Sequence, residues 1–371
     1  MKRIILATFV LLCSCAPRQE SLQDMTRRVF SLAQIQLSQM DLDIAPGQCP
    51  RSFQDGRLIT SDIGWWCSGF YPGSLWLAYE YSGNEILNEL AVKHTLPLEG
   101  LLDRQTDHDI GFQLMCSYGN MLRLTGDGRE VLEKGAEKLA ARFCPGAGVI
   151  RSWNFGKWNI PVIIDNMMNL ELLTAFGDKE IAQKHARTTV CNHFREDGTC
   201  FHLVDYADDG RVLGRQTVQG FADSTAWARG QAWALYGFAM MAQGGNEEFL
   251  TAASGLESWL MEHLPEDGIP YWDFSQSDYK DASAAAIIAC GLLELCEIRK
   301  DGPSHPSHRM AERIVRTLAS EEYLAEAGTN GGFLLKHSVG NIPAGSEVDV
   351  PLTYADYYFL KALLKLSVTS N

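Results

Sequence analysis

The chain predicts an all-α fold, an (α/α)6 toroid of six inner and six outer helices in a single domain. Three observations carry this reading. A turn signature recurs at helix junctions, as Tyr81-Ser-Gly83-Asn84, Leu124-Thr-Gly126-Asp127, Ala175-Phe-Gly177-Asp178 and Gln243-Gly-Gly245-Asn246. Each places glycine where a helix C-terminus calls for a left-handed residue, then Asp or Asn to start another helix, so each is an αα-hairpin. The two arms of a hairpin differ in character, and an aspartate near the start of the first arm returns at roughly 50–70-residue intervals, as Asp62, Asp109, Asp165, Asp223, Asp281 and Asp349.

Residues 1–15 read as an export signal of lipoprotein type. Met1-Lys2-Arg3 is a basic start, Ile4 to Leu12 is apolar but too short to span a bilayer, and Leu12-Cys13-Ser14-Cys15 resembles a lipobox with Cys15 as the lipid-bearing residue. A signal that is simply cleaved is the other reading. Both place the protein outside the cytoplasm, in the periplasm or anchored to a bacterial membrane. The domain occupies 19–371.

Its outer arms are expected at 19–45, 84–98, 128–144, 178–194, 246–264 and 307–326. They are amphipathic. In the third, Leu132, Ala136, Leu139 and Phe143 share one stripe, with Glu133, Lys134, Glu137 and Lys138 opposite. The inner arms, such as Thr225 to Phe238 and Ala282 to Glu294, are apolar nearly all round and must be buried on every side. Between an outer arm and the next inner arm lies a short stretch of glycine and aromatics, as in Gly148 to Trp153, Gly198 to His202, Gly268 to Trp272 and Gly332 to His337. These predict small strands or loops on one face. An open solenoid would want polar-faced caps at its ends. The last inner arm, Tyr354 to Leu364, is as apolar as the others, which favours closure. All inner helices then start at one mouth, where their dipoles gather partial positive charge.

With 371 residues, 46% of them hydrophobic, the chain can bury a large core. The net charge of −14 and the absence of a basic patch argue against a nucleic-acid partner. Cys116, Cys290 and Cys296 lie in apolar runs as small buried residues. Cys191 and Cys200 are near in sequence, but nothing demands that they pair. No CxxC or His/Cys cluster suggests a metal, and no GxSxG, HExxH, Walker A or Rossmann glycine pattern is present.

Two acids stand in apolar settings, Asp165 in Pro161-Val-Ile-Ile-Asp165-Asn-Met-Met-Asn-Leu170 and Asp109 in His108-Asp109-Ile-Gly-Phe112. Desolvation favours the proton-carrying form of each, as acid/base chemistry needs. Both read equally as helix caps. Trp65, Trp66, Trp153, Trp158, Trp227, Trp233 and Trp272 cluster on loops and helix starts, where they either stack on sugar rings or pack the barrel. Arg229, on an apolar helix, either pairs with a structural carboxylate or awaits a substrate anion, since burying it alone would be very costly. His202 and Gln219 flank the same loop and could bind sugar hydroxyls or a carboxylate.

Trp66-Cys-Ser-Gly-Phe-Tyr-Pro-Gly-Ser-Leu-Trp76, His108-Asp-Ile-Gly-Phe112, Ile164-Asp-Asn-Met-Met-Asn-Leu170, Trp227-Ala-Arg-Gly-Gln-Ala-Trp233 and Asp356-Tyr-Tyr-Phe-Leu360 together resemble the unsaturated glucuronyl hydrolases, glycoside hydrolase family 88. The motifs run in order from about residue 60 to 365. The resemblance implies an (α/α)6 barrel without metal or organic cofactor. It also implies an unusual glycosidase, which hydrates the C4=C5 double bond of a Δ4,5-unsaturated uronic acid at the non-reducing end of lyase-generated oligosaccharides. By that resemblance Asp165 is the general acid/base and Asp109 its supporting acid. Trp66, His202, Gln219, Trp227, Arg229 and Trp233 surround the substrate, with the His202 match resting on loop spacing. The rules for displacement at C1 do not apply. An unsaturated rhamnogalacturonyl hydrolase on the same barrel, or a non-catalytic surface glycan-binding protein, are the alternatives.

Overall fold

The structure, a computed structural model, describes residues 20–369. The expected signal and Cys15 lie outside the described residues. No helix among those described is long and apolar enough to cross a membrane.

Six outer helices alternate with six inner ones. The outer helices are Leu22–Asp43, Glu85–Thr95, Arg129–Ala140, Lys179–His193, Glu247–His263 and Pro306–Leu318. The inner helices are Phe70–Ser82, a composite of Ile110–Leu114, Met115–Gly119 and Asn120–Thr125, then Asn166–Phe176, Ala228–Ala242, Ala282–Arg299 and Thr353–Thr369. Met115–Gly119 is a single wide π turn inside the second inner helix. The hairpin turns follow the expected chemistry. Gly83 and Gly126 end their helices at φ 64 and 87. Asn84, Asp178 and Asn246 each accept a first-turn backbone N–H of the helix that follows. Gly177 departs from the pattern with φ −138, and at the second turn Gly128, not Asp127, occupies the cap position.

Inner helices are buried all round. From Ala282 to Cys296 every residue is buried, whereas Lys179–His193 buries one stripe only. Each fully buried large side chain, such as Trp76 or Phe238, contributes about 1.5–3 kcal/mol over leaving it in water. The ring closes, because the last inner helix packs against the first. Gly73 shows how tightly: a Cβ there would lie 2.6 Å from the Cys116 carbonyl on one side and 2.7 Å from the Tyr357 ring on the other. Only glycine lets the first inner helix touch both of its neighbours.

Three small antiparallel sheets sit at the mouth: Cys49–Gln54 with Arg57–Ser61, Phe143–Cys144 with Val149–Ile150, and Ile160–Ile163, Leu203–Tyr206 and Val212–Gln216 in that order. Of the four glycine–aromatic stretches, the first contains a strand and the second leads into one. The other two form isolated bridges, Tyr271 with Lys280 and Leu324 with Leu335.

The aspartate repeat is looser than the sequence suggested. Asp109, Asp165 and Asp281 do begin inner helices. Asp62 lies in the loop before Gly69, where it faces Arg104. Asp223 accepts the Thr217 N–H in its loop, and Asp349 pairs with His337. Entry loops of different length moved these three off the helix starts. The last outer helix also stops at Leu318, short of 326, where Ser320 and Tyr323 begin a series of turns. All eight cysteines among the described residues are free thiols.

Candidate active site

The site is built on the pairing of Ile163 with Leu203, which sets the ends of two strands side by side. Ile164 N–H continues the ladder by donating to the His202 carbonyl at 2.9 Å. Asp165, which starts the third inner helix, and His202, which precedes the strand, therefore stand next to each other. Asp109 starts the second inner helix. Neither Asp109 nor Asp165 caps its own helix with its side chain. Asp281, in contrast, accepts from Ser283 as an ordinary cap does. The capping role that both acids could have played is thus not theirs.

Asp165 is 9% exposed, and its Oδ2 has no hydrogen-bond partner. Burial pushes its pKa up to about 7, the Asp109 charge adds to the rise, and the Arg229 guanidinium and the nearby Trp233 indole oppose it. Asp109 is pushed up to about 7 by burial as well, with the Asn169 amide and Arg142 working against the rise. Two carboxyls with pKa values raised toward neutrality, in mutual electrostatic reach, have the properties that acid/base chemistry requires.

His202 is oriented from behind. Its Nδ1 accepts the backbone N–H groups of Val218 at 3.0 Å and Gln219 at 3.2 Å. The ring proton is therefore on Nε2, which faces Asp165 Oδ2 at 3.9 Å. Burial holds the ring neutral, with its pKa down at about 3. Its face lies 4.5 Å from the Trp227 ring centroid.

Of the two fates open to Arg229, pairing is what the structure shows. The residue is 3% exposed. Its terminal nitrogens donate to Val339 O, to Gly340 O at 2.7 Å and to Gln219 Oε1 at 2.6 Å, and Asp281 Oδ2 is 3.5 Å away. The guanidinium also lies over the faces of Trp227 and Tyr354. Gln219 is gripped through its oxygen.

The tryptophans divide. Trp227, Trp233 and Trp272 are buried and pack the barrel, Trp233 against Phe112 and Tyr358. Trp65, Trp66, Trp153 and Trp158 keep exposed surface. Trp66 leans on Phe112 and Tyr354, so its ring is fixed at the mouth.

A cavity of about 590 Å³ opens at the other end of the barrel, lined by Glu171 and Lys361 among others. Opposite charges there offset one another, and it holds no pair of proton-exchanging acids. The mouth is the chemical end.

No protein-family model matches the chain. Among curated proteins, it is 41% identical over 318 residues to an unsaturated glucuronyl hydrolase of Formosa agariphila, covering 80% of this chain and 79% of that one. The chain belongs to the unsaturated glucuronyl hydrolase family. A second family relative, the unsaturated chondroitin disaccharide hydrolase of Streptococcus pneumoniae, is 31% identical, with 81% of each chain covered. A solved unsaturated glucuronyl hydrolase specific for heparin superimposes with a TM-score of 0.90 at 42% identity, covering 94% of this chain and 98% of the other. The α/α barrel of the unsaturated glucuronyl hydrolases is thus the fold here too.

Within this unsaturated glucuronyl hydrolase fold, sequence reasoning singled out Asp109, Asp165, His202, Gln219 and Arg229, and the structure brings them together. It missed Asn169 and Asp107. Asn169 hydrogen-bonds Asp109 at 3.5 Å, and Asp107 Oδ1 accepts the Asp109 N–H at 3.0 Å. The available signal for Asn169 was its place four residues after Asp165, on the same helix face.

Proposed function

We propose that this chain hydrates the C4=C5 double bond of a non-reducing-end Δ4,5-unsaturated uronic acid in oligosaccharides left by polysaccharide lyases. Asp165 gives its proton to C4. Water adds at C5 and returns a proton to the same carboxylate. The resulting hemiketal opens, the bond at C1 breaks, and the linked sugar leaves. Asp109 supplies the charge that keeps Asp165 protonated until it reaches the alkene carbon. His202 Nε2–H and the side-chain NH2 of Gln219 offer donors to the uronate oxygens. Trp66 supports the ring, and Trp227 and Trp233 pack behind the site, Trp227 against His202 and Trp233 against Phe112. Arg229 serves by holding Gln219 and by limiting the rise of the Asp165 pKa.

One observation carries this reading: Asp165 Oδ2 and His202 Nε2 face each other, both buried and without hydrogen-bond partners among the described residues, at a carboxyl poised near neutrality. Buried polar atoms are nearly always satisfied in a finished protein, so a ligand that bonds them completes the site. A glycan-binding protein would gain nothing from two desolvated acids. The test is loss of the alkene's ultraviolet absorbance on mixing with lyase-generated disaccharides, with Asp165→Asn as control. Turnover by that variant at the wild-type rate would refute the assignment. Because the relatives' names include both heparin and chondroitin disaccharides, sulfated and unsulfated members of both should be compared.

We further propose export with a lipid on Cys15. The charged start, apolar run and Ser14-Cys15 junction support it. Incorporation of labelled fatty acid that is lost in Cys15→Ala would bear this out, and incorporation unchanged by that substitution would exclude it.

A further inference from the structure

We infer that Asn169 is a positioning residue: it caps the second inner helix from the neighbouring helix, and so leaves the Asp109 carboxylate uncommitted to the cap and within electrostatic reach of Asp165. The inference rests on the reading of Asp109 and Asp165 as the reacting pair. An aspartate at the start of a helix ordinarily accepts the N–H of the second or third residue onward. Asp109 makes no such bond. The N–H three residues on, that of Phe112, is accepted instead by Asn169 Oδ1 at 2.7 Å. Asn169 is fully buried. The two helices meet so closely that a Cβ on Gly111 would lie 2.6 Å from the asparagine.

This bond fixes the rest of the amide. With Oδ1 committed to a donor, the NH2 must face the other way. There it meets His108 Nδ1 at 3.3 Å and Asp109 Oδ1 at 3.5 Å. His108 Nδ1 is thereby an acceptor, its proton is on Nε2, and Nε2 stands 3.4 Å from the same Asp109 oxygen. Burial keeps this imidazole neutral, with its pKa down at about 4. One side chain thus sets the helix cap, the histidine tautomer and the amide donor beside Asp109. The titratable and charged groups that interact with Asp109 are Asp107 and His108 on its own loop, Arg142 and Asp165.

The discriminating variant is Asn169→Asp. It has the same shape and can still accept from Phe112, so a merely structural role would survive it. As positioning residue, Asn169→Asp removes the donor and adds a like charge. Asp109 should then ionise about one pH unit higher or more, and kcat should fall about 10–100-fold. The infrared carbonyl stretch of protonated Asp109, assigned with Asp109→Asn, reads this directly. A folded Asn169→Asp enzyme whose Asp109 band titrates as in wild type overturns the proposal. If the band moves while the pH dependence of turnover does not, Asn169's hold on Asp109 stands and the role of Asp109 in the reaction falls. Nitrogen NMR of wild-type protein, with His108→Gln for assignment, needs no surviving variant. The proposal expects a bare Nδ1 and a protonated Nε2, and the reverse tautomer overturns it.

Discussion

His202 Nε2 stands 3.9 Å from Asp165 Oδ2, and neither atom bonds anything else among the described residues. The distance is too long for a direct hydrogen bond, yet one oxygen bonded to both atoms fits between them. Since Nδ1 is occupied by two backbone donors, His202 can only donate toward that oxygen. The pair therefore presents a donor and an acid to the same ligand group.

Asp165→Asn keeps the shape and the buried environment but cannot carry a proton to carbon. The expected result is a loss in kcat of about 10²- to 10⁴-fold with KM little changed. Steady-state rates on an unsaturated disaccharide check this.

The acid/base role also sets a pH window. Asp165 must hold its proton, so kcat/KM should fall as pH rises through about 7. The Asp109 charge raises the Asp165 pKa, so removing that charge lowers it. In Asp109→Asn the residual activity should lose its alkaline limb at a lower pH than wild type. A pH–rate profile on both proteins decides the point.

Arg229→Gln strips the counter-charge from buried Asp281 and loosens Gln219. Leaving a buried carboxylate unpaired costs about 3–5 kcal/mol, so the melting temperature should drop clearly. Arg229 also holds the Asp165 pKa down. Whatever activity remains should therefore keep its alkaline limb to higher pH. A variant of unchanged stability would return Arg229 to the role of substrate clamp.

Proton linkage offers a test independent of substrate. The folded-state pKa of Asp165 is raised, so this group adds stability below the unfolded carboxylate range and loses it as pH climbs to about 7. His108, His185, His193 and His202 are depressed to about 3 or 4. They act in the opposite sense and weaken the fold as pH falls below the usual imidazole value. Asp165→Asn removes one offsetting proton. Between pH of about 6 and 4 its stability should fall, relative to wild type, by about 1.4 kcal/mol for each unit of acidification. Urea unfolding across that range measures the slope.

The barrel was legible because its signals are local. Gly83-Asn84, Gly126-Asp127 and the all-apolar run from Ala282 each speak for a few residues of backbone. Closure was readable from Tyr354 to Leu364 for the same reason. The aspartate count failed at Asp62, Asp223 and Asp349, since the length of an entry loop leaves no periodic trace. Asp109 and Asp165 were visible as acids in apolar company. What frees Asp109 from capping was not, because the Phe112–Asn169 bond spans 57 residues of sequence. Arg229 showed the cost of its burial, but Val339 and Gly340, its carbonyl partners more than a hundred residues on, carry no side-chain signature.

The π turn at Met115–Gly119 works as a phase shifter. One surplus residue in a helix advances everything beyond it by about 100°. On the tail side, Asn120 is tied to Cys116 and Tyr357, so the lower half is clocked against the sixth inner helix. The upper half is clocked against the third, through Asn169. A regular α-helix could satisfy only one of these two settings. Excising a single residue from the turn would set the Asn169 and Tyr357 contacts about 100° out of phase with each other.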